Sequence, residues 1–142
     1  MNPVTTKLYE LAPEADKARE KAVSPGSPYR IGVQKFAALL GISLTEEQLN
    51  ATAAAAPYMV GINGGLLYVA LRRVHHLNPI VAGLVAALAL FLVVDEGLTP
   101  ALGLSAPDRA YPLSTHLRGF LGHLAYGAAA AATARVLMSD RR

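Results

Sequence analysis

Three stretches of this chain run apolar over long distances, and a polar arm precedes them. Residues 48–71, QLNATAAAAPYMVGINGGLLYVAL, carry no charge, and neither do residues 78–94, NPIVAGLVAALALFLVV. Residues 112–137 form a third run, interrupted by Arg118 near one end and Arg135 near the other. A helix rises 1.5 Å per residue, so about 20 residues cross a ~30 Å hydrocarbon core. The middle stretch is the strongest, being rich in Leu, Val and Ala. The outer two are weaker, because Ala and Gly add little hydrophobicity. The competing reading is a soluble bundle, but its helices would each keep a polar face, and residues 79–94 have none. The pattern predicts an all-α chain: an integral membrane three-helix bundle in residues 45–142, with spans at about 48–72, 78–97 and 112–138. A polar, partly amphipathic helical arm, residues 1–44, precedes it.

Local chemistry supports these boundaries. Asn78 followed by Pro79 is a helix cap with proline at the first helical position. Tyr111-Pro112 does similar work for the third span, and Thr45 for the first. Pro57 predicts a kink or a late start. In the arm, PEADKAREKA (13–22) reads as a short polar helix ended by SPGSP. Tyr29, Val33, Phe36 and Leu40 then recur at helical spacing, an amphipathic pattern. That helix either lies in the lipid interface or packs on the bundle ends. The joining segment GLTPALGLSAPDRAY is predicted to begin a turn at Thr99-Pro100, end it at Gly103 and fold back over Asp95 and Glu96.

Composition narrows the class. Among 142 residues, 53% are hydrophobic and 16% charged, against about 25% charged in a soluble domain. There is no cysteine, so no disulfide framework and no thiolate metal site. The net charge of +3 is small and scattered, which argues against nucleic acid as a partner. Lys and Arg near the span ends bias orientation. Arg72, Arg73, Arg135, Arg141 and Arg142 lie toward one side, and Arg30, Lys35, Arg109 and Arg118 toward the other. This slight excess puts the Arg72–His76 loop and the C-terminus in the cytoplasm and leaves the arm outside.

The candidate chemistry lies inside the spans. Gly61 and Gly65, with Gly119, Gly122 and Gly127, are expected to let helix backbones approach closely. Tight internal packing is the first reading and homo-oligomerisation the alternative. Asp95 and Glu96 end the second span, where carboxylates are costly unless hydrated, paired or turned inward. His116 and His123 are seven apart, so they face one way. Taking Asp95 and Glu96 at the surface puts His116 about one turn deep, within their reach, and His123 about 16 Å deep, beyond it. Tyr58 is then the expected partner of His123, with Asn63 as the deeper alternative. Arg118 is expected to snorkel as an anchor or to pair with Asp95 or Glu96. A metal site is possible by ligand type but lacks any HxxxH or ExxH spacing. No enzyme motif and no cofactor signature is present.

The segment DEGLTPALGLSAPDRAYPLSTHLRGFLGHLAYG, residues 95–127, resembles the hallmark region of the YagU-type family of bacterial inner-membrane proteins. The carriers of the resemblance are the acidic pair, the Pro-Ala-Leu-Gly-Leu turn, the Tyr-Pro-Leu-Ser-x-His helix start and the Gly-x-His-Leu-x-Tyr-Gly stretch. It implies a multi-pass protein of the bacterial inner membrane, loosely associated with acid stress. It also implies a further apolar helix at the start, of which MNPVTTKLYEL matches only the tail. The expectation is a small non-enzymatic membrane protein, structural or stress-related, with the lipid bilayer as partner. The alternative is an intramembrane proton or ion relay using Asp95, Glu96, His116 and His123.

Overall fold

The structure, a computed structural model, describes residues 3–139, with side chains described through residue 136. Arg141 and Arg142, counted above for orientation, lie outside the described residues. The described chain is helical, with no strand. The arm contains α1 (Pro3–Leu11), α2 (Glu14–Val23) and α3 (Pro28–Leu39). Next come α4 (Glu46–Arg73) and α5 (Pro79–Ala89), which continues into a π-helical segment, Leu90–Leu98, and one further turn, α6 (Thr99–Ala101). A 3-10 turn, Asp108–Ala110, leads into α7 (Leu113–Ser139). Two helices are long and apolar enough to cross a membrane by length and composition, Glu46–Arg73 and the continuous Pro79–Ala101. The second runs beyond the sequence-based end near 97.

The helix starts follow from their caps. Thr45 accepts from the Gln48 N–H at 3.2 Å, and the Gln48 side chain accepts from the Thr45 N–H at 2.9 Å. This reciprocal box satisfies two donors that a helix end leaves bare. Asn78 accepts from the Val81 N–H at 2.9 Å, just before Pro79. Gly103 adopts a φ of +64°, which only glycine reaches without strain, and α6 ends there. Lys35 closes the same end by donating to the Leu102 and Gly103 carbonyls at 2.7 and 3.0 Å.

The tightest packing is between α5 and α7. A Cβ added at Gly83 would lie 2.6 Å from the Gly127 carbonyl oxygen. The two backbones therefore touch, as small residues permit. Tyr68, Ala82 and Ala86 form a core beside this contact, with Leu67, Leu71, Leu77, Ala131 and Ala134 around it. Gly119 faces the Phe91 ring, and Gly122 faces Thr5 of α1.

The predicted role of Gly61 and Gly65 needs correction. A Cβ at Gly61 would meet nothing within 4 Å, and one at Gly65 only the Tyr126 hydroxyl at 4.0 Å. The glycine that packs is Gly64, where a Cβ would collide with Leu90 and Tyr126. The buried positions of α4 are Leu49, Gly64 and Tyr68, so the packed face is turned by one position from the one read in the sequence. The arm is packed too. Thr5 sits on Gly122 while Tyr9 sits on Arg118, so α1 runs antiparallel along α7. α3 packs on α4, tied by Arg30 to Glu46 at 2.7 Å and by Arg30 to Asn50.

Candidate functional site

The π-helical segment places the acidic pair. Its backbone bonds skip five residues, as in the Thr99 N–H to the Val94 carbonyl, which the Thr99 hydroxyl also reaches at 2.8 Å. Wider turns set successive side chains closer together in angle than the about 100° of an α-helix. Asp95 and Glu96, neighbours in sequence, can therefore both face α7. The helix also continues six residues past Asp95, to Ala101. The pair thus lies more than a turn below the helix end rather than at it.

Glu96 and His116 form the centre of the site. The His116 Nδ1 is 2.8 Å from both Glu96 carboxylate oxygens. Its Nε2 is 3.1 Å from the Asp108 main-chain carbonyl. A carbonyl only accepts, so Nε2 carries a proton. The second proton then lies between Nδ1 and the carboxylate, giving either imidazolium with carboxylate or imidazole with carboxylic acid. The Asp108 carboxyl, on the loop, is raised above the ordinary range by burial first and by the Glu96 charge second, with His116 pulling the other way.

The geometry of His123 corrects the depth argument. Its Nδ1 donates to the Gly119 carbonyl at 2.9 Å and lies 3.7 Å from Asp95 Oδ2. Asp95 is deep enough to approach it because the helix does not stop there. Tyr58 is 75% exposed and does not reach His123; the one-position turn of α4 carries it outward. Asn63 is also exposed and bonds back to the Met59 carbonyl at 2.8 Å. Tyr126 turns toward α4 instead, its hydroxyl donating to the Gly61 carbonyl.

Arg118 does not meet Asp95 or Glu96. It donates to Glu20 of α2 at 2.6 Å, with the two side chains 13% and 21% exposed. Its guanidinium lies 4.9 Å from the Tyr9 ring centre. Glu20 also accepts from the Thr115 hydroxyl at 2.7 Å. Arg19 donates to the Ala110 and Arg109 carbonyls at 2.9 and 3.2 Å. Sequence reasoning missed Glu20, reading its helix only as short and polar. The available signal was Thr115 and Arg118, three apart on one face and both suited to a carboxylate.

These groups border a cavity of about 650 Å³ between α3, α4, the π-helical segment and α7. Asp95, Glu96 and His116 lie at its polar side, and Val33, Phe36, Val60, Phe91 and Leu104 line its apolar walls. Among the described residues, no three His, Cys, Asp or Glu side chains gather as a metal site would require. The chain matches no family model, no curated protein and no solved structure.

Proposed function

We propose that this chain is a non-enzymatic, three-span protein of the bacterial inner membrane that binds and releases protons from one side of the bilayer. The Glu96–His116 pair carries this reading. It is a carboxylate and an imidazole sharing one proton, placed beside a cavity and within a helix bundle. Asp95 and His123 extend the set toward the bundle interior, and Asp108 links it to the loop. Such a set suits a response to acid, in keeping with the expected stress role. A membrane setting is supported by the outward apolar side chains Ile62, Leu66, Val69, Ile80, Leu84, Leu92, Leu117 and Leu121. Large exposed apolar surfaces of this kind are rare on soluble monomers. In this reading α7 is the third span, and its Arg118 is neutralised by Glu20 rather than carried into lipid.

Two measurements test the reading. Alkaline carbonate extraction should leave the protein in the membrane pellet. Recovery of a monodisperse helical protein from detergent-free buffer would overturn the three-span arrangement. Infrared difference spectra of the purified protein should show an imidazole change between about pH 5 and 8. His116→Gln should abolish that change and leave the helical content intact. Identical titration of the variant and the parent would overturn the proton-binding role.

A further inference from the structure

Asp95 is a carboxylate whose hydrogen-bonding capacity is unused. Its polar neighbour is His123 Nδ1 at 3.7 Å, beyond hydrogen-bond range. That nitrogen already donates to the Gly119 carbonyl at 2.9 Å. Among the described residues Asp95 makes no hydrogen bond, although the Tyr29 phenol and the Glu96 carboxyl lie close enough to feel its charge, and its side chain is 46% exposed. The surroundings are unlike bulk water. Asp95 borders the cavity of about 650 Å³ and a second of about 990 Å³, and Tyr29, Val60 and Gly119 border both. The second cavity continues past Pro57, Tyr58, Gly61 and Ile62. Tyr58 and Ile62 are outward side chains of α4, so this space reaches the surface that the membrane reading turns toward lipid.

The charge around the first cavity is unbalanced. Its acidic groups are Glu20, Asp95, Glu96 and Asp108, and its basic groups are His116 and Arg118. Arg118 is taken by Glu20 and His116 by Glu96, which leaves Asp95 and Asp108 with no cation on this wall; the basic group nearest Asp95 is His123, 3.7 Å away and charged only when protonated. Four aromatic rings, Tyr29, Phe36, Phe91 and Tyr111, share the cavity wall with it. Aromatic faces beside a carboxylate attract ammonium groups. The volume also falls within the range of about 300–1,000 Å³ found for small-molecule pockets.

We propose that these two adjoining cavities, which share the Asp95 wall, bind a single-chain lipophilic amine, with its ammonium on Asp95 and its alkyl body along Phe36, Val60 and Phe91. The ligand enters laterally, from the bilayer, past Tyr58 and Gly61. An anionic amphiphile is disfavoured because its head would face Asp95 and Glu96. A neutral alcohol fills the apolar space but leaves the carboxylate uncompensated. This proposal rests on the membrane reading above and is independent of proton exchange at His116.

The test is binding of radiolabelled dodecylamine to the full chain in maltoside micelles, with unlabelled competitors. Dodecylamine should bind saturably, and dodecanol and laurate should compete at least about tenfold more weakly, a difference of about 1.4 kcal/mol. Asp95→Asn should weaken amine binding by about tenfold or more. Ala56→Phe, which fills the cavity and leaves every charge in place, should do the same. Equal competition by dodecanol, or unchanged binding in Asp95→Asn, overturns the proposal. Equal displacement by phosphatidylethanolamine overturns it in favour of a lipid headgroup. Failure of amine binding alongside an intact pH response removes the ligand and leaves the proton-binding function standing.

Discussion

Gly127→Leu is expected to prevent recovery of a folded, monodisperse protein. A Cβ at position 127 would be driven into the Gly83 carbonyl and would lie 2.9 Å from the Ala87 Cβ. The obstacle is partly backbone, so no rotamer change relieves it. Overpacking by one or two methylenes costs about 1–3 kcal/mol where side chains can yield, and here α5 and α7 must separate. Gly61→Leu is the control, because its Cβ meets nothing within 4 Å. The measurement is the unfolding midpoint in mixed micelles of maltoside and dodecyl sulfate, with gel filtration alongside. Gly61→Leu should stay close to the parent. Equal tolerance at both positions would mean that α5 and α7 are not packed through Gly83 and Gly127.

The second large effect is expected at Arg118. Its partner Glu20 is 98 residues away and nearly as sheltered. Removing one member of a shielded pair strands the other's charge, at a cost of about 3–5 kcal/mol when fully buried. With the small exposure of both groups, Arg118→Met should lie toward the lower end of that range. Glu20→Met should resemble it, since Arg118 would then have only the Tyr9 ring and Thr115 would lose its acceptor. The double replacement should recover most of the loss, because no charge remains uncompensated and the arm can still pack by apolar contact. A double-mutant cycle on unfolding midpoints checks this. Purely additive losses would mean that the arm is held by something other than this pair.

The sequence made the helix starts legible, because caps are local chemistry. Thr45 with Gln48 and Asn78 with Pro79 each state a boundary within four residues. The reach of the acidic pair to His116 was legible too, since it needed only a helical rise and a connecting loop. Other features left no local trace. Leu90 to Val94 is uniformly apolar, so nothing in the pattern distinguishes an α-helical from a π-helical ladder. That ambiguity hid the depth of Asp95 and its approach to His123. The same uniformity blurred α4, where Ala and Gly fill so many positions that its inward face could be read one residue out of place. The result was Tyr58, Gly61 and Gly65 in place of Gly64. The docking of Glu20 on Arg118 is a long-range pairing, visible from sequence only as two polar residues on α7 that want an acidic neighbour.

The contact of Gly83 with Gly127 has a mechanical consequence. Two backbones in contact cannot slide past each other without climbing over a carbonyl, so this point acts as a fulcrum. From Gly83 to Asp95 is twelve positions (95 minus 83), a lever arm of at most about 18 Å, since the π-helical part rises less per residue. A tilt of about 5° at the fulcrum swings the acidic end by about 1.6 Å over that arm. That displacement is enough to break a 2.8 Å bond between Glu96 and His116 while Gly83 and Gly127 stay in register. A tilt hinged at these glycines would work as tweezers whose jaws carry the acid–base groups, with the Phe91 ring against Gly119 as the packing it must loosen.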